Sequence, residues 1–366
     1  MKFKISREAL LKPLQVVSGV VEKRQTLPIL SNILVNAESD RLTLTGTDLE
    51  VELTANTELK DAEAGDITLP ARKFMDICRT LPDEAMLNIS VNGERALIRS
   101  GKSRFTLSTL PATDFPSTDA ITGAYEFEVP RKDLKSLIDR TQFCMANQDV
   151  RYYLNGLLLE IENSTLRTVA TDGHRLAISE TSQELPATEK LQVIIPRKGV
   201  GELARMLDES EEPCKVQINS NHIKVQLPDI TFISKLIDGR FPDYERVIPQ
   251  GCDKVVIAQR EVVRQALVRT AILSNEKYRG IRLQLENNLL KAMVNNPELE
   301  EAEEEIDINY SGDTLEVGFN VSYLVDALSA VRQDEVKIEL SDANSSCLLS
   351  GNGDDTTRYV VMPMRL

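Results

Sequence analysis

The sequence predicts an α+β protein built from three tandem, similar domains, each with two helices packed on antiparallel sheets. Three observations predict this architecture: a helix-forming segment that occurs three times, a second helix at a constant offset, and alternating β-branched stretches between them. The chain has 366 residues, which is long for one domain and suits two or three. We predict domains at residues 1–124, 125–252 and 253–366.

The helices give the clearest repeat. The first helix of each copy is predicted to begin near Ser6, Pro130 and Gln259, in each case with charged residues in its first turn. The second helix of copies one and two begins after Pro70 and Pro196, an offset of 126 residues. In the third copy this helix is predicted from Asn320 to Val331. Two helices per copy give six helices in the chain.

Strand motifs recur in the same order. The pairs are Leu44-Thr45-Gly46-Thr47-Asp48 with Val169-Ala170-Thr171-Asp172-Gly173, Phe105 to Pro116 with Phe232 to Pro242, and Leu110-Pro111 with Met362-Pro363. Similarity among amphipathic helices alone does not explain these matches, because several unlike motifs keep one order and spacing.

Composition excludes several classes of protein. The five cysteines are scattered, with no C-x-x-C pair, which argues against disulfides and zinc sites and predicts a cytoplasmic protein. Charges within the first eleven residues argue against a signal peptide, and no apolar run reaches the roughly 18 residues of a membrane span. We therefore expect no membrane partner, no cofactor and no metal.

The distribution of charge matters more than the net charge of −14. The six predicted helices with their flanks (residues 6–24, 70–82, 131–151, 196–208, 258–282 and 318–332) hold 22 Lys or Arg against 11 Asp or Glu. The remainder holds 21 basic against 46 acidic residues. Basic helices on an acidic body are typical of a DNA-facing surface, although solvated helices also carry Lys and Arg.

Helix packing bounds the assembly that could enclose DNA. Neighbouring helices lie about 9–10 Å apart, so six cannot surround a duplex. Twelve helices give a ring of roughly 35–38 Å between opposite axes, which leaves room for DNA and water. A head-to-tail dimer is the simplest assembly that provides them. The sequence has no base-reading module, so DNA binding should depend on phosphate charge and salt.

Six longer segments carry a family resemblance over the whole chain. They are Thr26-Leu27-Pro28-Ile29-Leu30, Leu44-Thr45-Gly46-Thr47-Asp48-Leu49-Glu50, Gln148-Asp149-Val150-Arg151-Tyr152-Tyr153-Leu154-Asn155-Gly156, Ala170-Thr171-Asp172-Gly173-His174-Arg175-Leu176, Asp238-Gly239-Arg240-Phe241-Pro242-Asp243-Tyr244 and Val361-Met362-Pro363-Met364-Arg365-Leu366. The sequence resembles the bacterial DNA polymerase III beta subunit family, the replicative sliding clamps. The resemblance implies a non-catalytic processivity factor whose three-domain chains close as a head-to-tail dimer into a ring, the DNA clamp fold.

The same resemblance implies the partners. They are double-stranded DNA without sequence specificity, a second copy of the chain, the polymerase III alpha subunit, the clamp loader, and other polymerases and repair proteins that carry a clamp-binding peptide. The DNA contacts correspond to Arg24, Arg72, Gln148, Tyr152 and Tyr153. An alternative for the tyrosine pair is core packing at the start of a strand, where only one of two neighbours faces inward. Helix position and charge add Arg197, Lys198, Arg205 and Arg279.

A peptide groove between the second and third domains is also implied by the resemblance. Its residues correspond to Leu154, Thr171, Gly173, His174, Arg175, Leu176, Pro242, Arg246, Val247, Asn320, Tyr323, Val360, Met362, Pro363, Met364 and Arg365. The repeat supports a special role for the C-terminus, because only the third copy ends four residues after Met362. A closing edge strand with core methionines is the alternative. Tyr278 and Asn344 depart from the apolar residues of the family at this site.

The subunit interface implied by the resemblance joins the two ends of the chain. Phe105 and Leu107 of one chain would meet Ile272 and Leu273 of the other. The acidic run around Glu300, Glu303 and Glu304 would face basic residues, which are Lys73, Arg95 and Arg104. A solvated acidic surface is the simpler interpretation of that run.

Two other classes of function were considered. A hydrolase could use Asp172 and His174 as an acid–base pair, but the chain has only two histidines and no phosphate loop or nucleophile elbow. Thr-Asp recurs at the equivalent strand of copy one, which favours a structural role for Asp172. A sequence-specific DNA regulator lacks a reading head.

Overall fold

The computed structural model describes residues 1–22, 27–116, 118, 121–186 and 189–365. The chain divides into two compact units, each made of two chain segments. The first unit comprises Met1–Lys132 and Lys198–Leu236, and the second comprises Asp133–Arg197 and Ile237–Leu366.

The described residues contain the six α-helices that the repeat predicts. They are α1 Arg7–Ser18, α2 Ala71–Thr80, α3 Arg131–Thr141, α4 Arg197–Met206, α5 Arg260–Thr270 and α6 Val321–Ala330. Each helix begins directly after a strand, and the Ser6 hydroxyl and the Asn320 side chain cap α1 and α6. Short 3-10 helices follow α3 and α5, and a turn follows α1.

Twenty-four strands connect these helices in the described residues. They are β1 Lys2–Ser6, β2 Asn32–Ala37, β3 Arg41–Thr47, β4 Val51–Glu58, β5 Gly65–Pro70, β6 Met86–Asn92, β7 Arg95–Ser100, β8 Ser103–Ser108, β9 Tyr125–Pro130, β10 Gly156–Glu162, β11 Thr165–Thr171, β12 Arg175–Ser182, β13 Leu191–Pro196, β14 Pro213–Ile218, β15 His222–Gln226, β16 Ile230–Lys235, β17 Lys254–Gln259, β18 Gly280–Glu286, β19 Leu289–Asn295, β20 Glu301–Asp307, β21 Leu315–Asn320, β22 Glu335–Leu340, β23 Cys347–Gly351 and β24 Thr357–Val361.

All strand pairs are antiparallel, and each unit holds one four-stranded and one eight-stranded sheet. In the first unit the strand orders are β1-β6-β7-β8 and β5-β2-β3-β4-β16-β15-β14-β9. In the second unit they are β13-β10-β11-β12-β24-β23-β22-β17 and β20-β19-β18-β21. Each eight-stranded sheet thus consists of two four-stranded parts joined at one central pair, β4–β16 or β12–β24.

Buried apolar side chains occupy alternate positions along the strands, and they occupy one face of each helix. In the first unit α1 packs on α2 and on β4, burying Leu10 and Leu14. In the second unit α5 packs on α6 and on β20, burying Val263 and Leu267. The helices therefore cover one face of the sheets. Strands β8 and β20 each end a four-stranded sheet and keep an open edge in the described residues.

Candidate functional sites

The turns that begin β4 and β12 share one hydrogen-bond pattern. The hydroxyl of Thr47 donates to the Val51 carbonyl, and that of Thr171 donates to the Arg175 carbonyl, at 2.9 and 2.7 Å. The Asp172 carboxylate accepts from the backbone N–H groups of His174 and Arg175, as Asp48 does in its own turn. Asp172 is therefore a turn residue, as the repeat predicts, and its carboxylate is occupied by these donors.

Arg175 connects this turn to two other elements of the second unit, α6 and the 3-10 helix Gln142–Cys144. Its guanidinium donates to Asp172 at 3.1 Å, to Asp326 on α6 at 2.6 Å and to the Phe143 carbonyl at 2.8 Å. The guanidinium carbon also lies 4.5 Å from the centre of the Tyr323 ring, and His174 stacks on that ring at 6.4 Å. These contacts fix His174, Arg175 and Tyr323 as one wall of the predicted groove.

The C-terminal residues 362–365, called the tail, would form the facing wall of the predicted groove. The backbone N–H of Met362 donates to the His174 carbonyl at 2.9 Å, and that of Met364 donates to the Gly318 carbonyl at 2.8 Å. Met362, Pro363 and Met364 remain half-buried, so none of them is a core residue. The tail thus spans two sheets of the second unit with partly exposed methionines, which suits a surface that accepts varied apolar side chains.

The remaining predicted groove residues form a floor and a rim. Leu176 and Val360 belong to a buried cluster with Phe241 and Tyr244, and the predicted residues Leu154 and Thr171 are also buried. At the rim, Val247 is partly exposed, Pro242 is exposed, Arg246 pairs with Asp243 at 2.7 Å, and Asn320 caps α6. All sixteen predicted groove residues lie in the second unit.

A buried charge network behind this floor was not found from the sequence. Glu160 is 1% exposed and accepts the Tyr244 hydroxyl at 2.8 Å and the Gln192 amide at 2.6 Å, while Arg167 and Lys190 form ion pairs with it. Burial by itself raises the pKa of the Glu160 carboxyl, but the hydrogen bonds from Gln192 and Tyr244 and the Lys190 contact outweigh burial and lower it. Glu160 therefore stays ionised and holds Tyr244, which lies in the rim segment Tyr244–Val247.

We expect Tyr244→Phe to weaken peptide binding in the groove by about three- to tenfold, because the hydroxyl that donates to the buried Glu160 carboxylate and accepts from Arg167 is lost. The ring keeps its place in the apolar floor, so dimer formation should not change. Titration of a fluorescent groove peptide measures the effect. Tyr310→Phe is the matched control, since that hydroxyl donates to the Asp313 carbonyl outside the groove. Equal peptide affinity of both variants would contradict the expectation.

The predicted DNA contacts differ in their surroundings. Arg24 lies outside the described residues. Arg72 is exposed on the first turn of α2, where no acidic partner lies within ion-pair distance in the described part of the chain. Gln148 is exposed and takes the left-handed conformation, with φ of 57°. Tyr152 is 58% exposed, whereas Tyr153 packs against the floor of the groove.

The alternative in which the tyrosine pair stands at the start of a strand is wrong. The pair lies in a 3-10 helix, Tyr152–Leu154, and the strand β10 begins only at Gly156. The reason is a set of local hydrogen bonds, called the Asp149–Asn155 brace. The Asp149 carboxylate accepts from the backbone N–H and the guanidinium of Arg151. The Asn155 side-chain amide accepts from the backbone N–H of Asp149 and donates to its carbonyl. Asx-type bonding of this kind competes with strand pairing. One tyrosine still reaches solvent, and neighbouring Val150, which the sequence did not single out, is 94% exposed.

The additional basic candidates are bound by the chain itself. The Arg197 guanidinium donates to the carbonyls of Met145 and Ala146. The Lys198 ammonium is held by Asp48 and Glu22 in the first unit, Arg205 pairs with Glu202, and Arg279 reaches the Ala271 carbonyl at 3.4 Å. Lys198 and Arg205 thus have local acidic partners, which makes them weaker phosphate ligands than Arg72.

The two open edges carry opposite charge. On β7 and β8, Arg99 and Arg104 stand directly opposite each other, Arg95 begins β7, and none of the three has an acidic partner in the described residues. On β20, Glu301 and Glu303 likewise have no basic partner among the described residues, while Glu304 pairs with Arg269 at 2.6 Å. Ile272 beside this strand is 75% exposed, and Leu273, Phe105 and Leu107 are partly or fully buried.

Known protein families match this chain in three successive segments. Residues 1–119, 128–243 and 245–365 match the N-terminal, central and C-terminal domains of the DNA polymerase III beta subunit. Beta sliding clamps of Pseudomonas aeruginosa and Escherichia coli are 56% and 53% identical to this chain, over all of both chains. The crystal structure of the P. aeruginosa subunit superposes with a TM-score of 0.97 at 56% identity and full coverage, and a Caulobacter crescentus clamp with 0.93 at 37%.

The fold and these matches define a DNA sliding clamp, a non-catalytic processivity factor for a DNA polymerase. The chain belongs to the DNA polymerase III beta subunit family. The predicted architecture of tandem similar domains with six helices on antiparallel sheets is confirmed. In the described residues no set of side chains could hold a metal ion, and none of the helices there has the length and apolarity to cross a membrane.

Proposed function

We propose that two copies of this chain join head to tail into a ring around duplex DNA, and that the groove holds a peptide of the replicative polymerase. The observation that carries the proposal is the pair of unpartnered edges, β8 and β20, of opposite charge. The three domains would be residues 1–124, 125–252 and 253–366, and free thiols at all five cysteines support the cytoplasm as the compartment.

The strand pairs β4–β16 and β12–β24 are two junctions inside the chain, and they support a specific register for the proposed junction between β20 and β8 of two subunits. In the hairpin β3–β4 the last pair is Thr47↔Glu52, and the next residue, Leu53, stands opposite Phe232 of β16. In the hairpin β11–β12 the last pair is Thr171↔Leu176, and the next residue, Ala177, stands opposite Tyr359 of β24. An aromatic residue therefore faces the residue after the last hairpin pair at both junctions.

The same rule applied to β20 gives the register between subunits. The last pair of the hairpin β19–β20 is Asn295↔Glu301, so the next residue is Ala302. Phe105 is the aromatic of β8 that corresponds to Phe232, so it would stand opposite Ala302 of the other subunit. Antiparallel pairing then sets Arg104 opposite Glu303. This pairing would extend each four-stranded sheet to eight strands, as at the two internal junctions.

Charge and apolar area both support this seam. Arg99 and Arg104, which repel each other within one chain, would gain the acidic edge of β20. Ile272 and Leu273 would pack against Phe105 and Leu107 on the helix-covered face. Lys73, Arg95, Glu300 and Glu304 would line the rim of the seam. Two identical seams close the ring, because a head-to-tail contact closes when its rotation completes a circle.

Binding to DNA would rest on charge without base readout. Arg24, Arg72, Gln148 and Tyr152 are the proposed contacts, with Tyr153, Arg197 and Lys198 as supporting residues. Arg72 offers a free fork of donors to phosphate oxygens. The exposed ring of Tyr152 can rest on a sugar or an unpaired base. A weak, unspecific contact allows the ring to slide.

We expect Arg72→Ala to lower duplex affinity at low salt and to flatten its salt dependence. Removal of one phosphate contact from each of two subunits should reduce the slope of log K against log salt by about 2. Fluorescence anisotropy on a short duplex between 25 and 200 mM salt measures the slope. Arg41→Ala, an exposed arginine on β3, is the control and should leave the slope unchanged. An unchanged slope in Arg72→Ala would remove this residue from the DNA surface.

The partners at the groove would be the polymerase III alpha subunit, the clamp loader, and other polymerases and repair proteins that carry a clamp-binding peptide. A deep apolar floor, a half-buried methionine tail and an aromatic wall support recognition of a short apolar peptide. The several proteins would compete for one groove in each subunit.

The topological test of the ring uses circular DNA. The protein is loaded by its clamp loader onto a nicked circle, the complex is isolated, and the circle is then cut once. We expect loss of the protein from the linear ends and retention on the uncut circle. Retention on linear DNA would contradict encirclement, whatever the affinity of the protein for DNA.

A further inference from the structure

A cleft of about 780 Å³ lies next to the tail, on the face of the sheet β20-β19-β18-β21 that the helices leave uncovered. Its floor includes Arg282 and Met293, which are cross-strand neighbours on β18 and β19. Tyr278 forms part of its rim, and Pro297 and Glu301 lie at the β20 side. All lining residues belong to the second unit.

The cleft is continuous with the groove. Met364 and Arg365 line the cleft and are also the last two residues of the proposed groove wall. The Met364 N–H bond to the Gly318 carbonyl attaches this part of the tail to the edge of the same sheet. A polypeptide that lies along the proposed groove and passes Met364 would therefore enter the cleft.

The lining defines what the cleft can bind. Tyr278 is 56% exposed, and with Met293, Pro297 and Met364 it offers apolar contact area. Glu301 has no basic partner within 4 Å in the described residues, whereas Arg282 is already paired with Glu316 at 3.3 Å. Several asparagine amides at the rim can bond a peptide backbone. The surface thus suits an extended segment with one apolar and one basic side chain.

We propose that this cleft is a second binding site for the same partner, and that it holds the segment that flanks the groove peptide. The proposal rests on the peptide-binding function of the groove. The flanking segment is tethered by the groove peptide, so even a weak contact in the cleft adds to affinity through a high effective concentration. Partners with an apolar, basic flank would bind more tightly than partners without one, which gives an order of preference among peptides that share the groove.

The test compares three peptide designs on the full-length protein. The first is a minimal groove peptide. The second adds eight residues that contain leucine and lysine, with separate peptides for the amino-terminal and the carboxy-terminal side. The third replaces the lysines of that flank by glutamate. We expect the basic flank, on one side, to increase affinity by about five- to twentyfold and the acidic flank to give no increase.

Variants of the protein test whether the affinity gained from the basic flank arises in the cleft. In Met293→Ala/Glu301→Gln, which changes two residues of the cleft that are not groove residues, the gain from the basic flank should disappear, while the minimal peptide binds as in the unchanged protein. Glu305→Gln is the matched control, because Glu305 is on the same strand and face but pairs with Lys291 outside the cleft. In the proposed seam Glu301 stands opposite an uncharged threonine, so sedimentation should show an intact dimer.

The outcomes separate the two proposals. A flank that gives no gain on either side, or a gain that survives in Met293→Ala/Glu301→Gln, would overturn the second site while the groove stands. Failure of the minimal peptide to bind the unchanged protein would overturn the groove itself, and the second site with it.

Discussion

Arg104→Glu should separate the ring into single chains at concentrations where the unchanged protein is dimeric. In the proposed register this substitution sets a glutamate opposite Glu303 at both seams, and like charges directly opposite each other on paired strands are destabilising. If each seam loses about 1.4 kcal/mol, the dimer dissociation constant rises about 100-fold, since each 1.4 kcal/mol is a factor of ten. Sedimentation velocity across a dilution series measures the constant.

A charge swap makes this prediction specific for the register. Arg104→Glu combined with Glu303→Arg on one chain restores opposite charges at both seams, so the dimer should return to most of its original strength. Lys60→Glu, a reversal at an exposed lysine of the first unit, controls for the change in net charge. The effect should shrink at high salt because exposed charges are screened. If Arg104→Glu dimerises as tightly as the control at low salt, the proposed pairing is contradicted. If the charge swap does not restore dimerisation, the proposed register is contradicted.

Removal of residues 362–366 should abolish binding of a polymerase-derived peptide while the dimer persists. The tail supplies the methionine wall of the groove, and neither Met362 nor Met364 belongs to the edges that form the proposed seam. Loss of a central apolar anchor set typically costs at least about 2 kcal/mol, and more than one anchor is lost here, so we expect affinity to fall by about 100-fold or more. Isothermal titration with the peptide, together with sedimentation, measures both properties.

A point variant separates loss of contacts from local unfolding. Met362→Ala/Met364→Ala keeps the backbone bonds of the tail to His174 and Gly318 and removes only side chains. It should lose peptide affinity by tens of fold, whereas Met86→Ala, a partly exposed methionine in the first unit, should not. Peptide affinity that stays normal in both the deletion and the double variant would refute the groove assignment.

The repeat explains how far the sequence could be interpreted. The six helices and the matching turns at Thr47-Asp48 and Thr171-Asp172 were predictable, because they depend on local periodicity and on side chains that bond their own turn. The same repeat correctly assigned Asp172 a structural role. The acidic run at β20 was visible as a pattern, but only its place on an open edge distinguishes it from an ordinary solvated surface.

Other features depend on partners far along the chain. The charge count treats Lys198 as a free cation, yet Asp48 and Glu22 hold it from positions about 150 and 176 residues away. The network of Glu160 with Tyr244 and Lys190 is invisible for the same reason. The sequence could not distinguish the 3-10 helix at Tyr152 from the start of a strand, because the alternation of side chains does not reveal the Asp149–Asn155 brace.

The sequence by itself determined the fold class, the threefold repeat, the concentration of basic residues in the helices and the resemblance to the clamp family. These properties follow from local preferences and from residue identity. The tertiary structure decided which basic side chains are free, how the tail spans two sheets beside a cleft, and which strands keep an open edge. Those properties arise from long-range packing and strand pairing, where a residue's role is set by neighbours that the linear order does not specify.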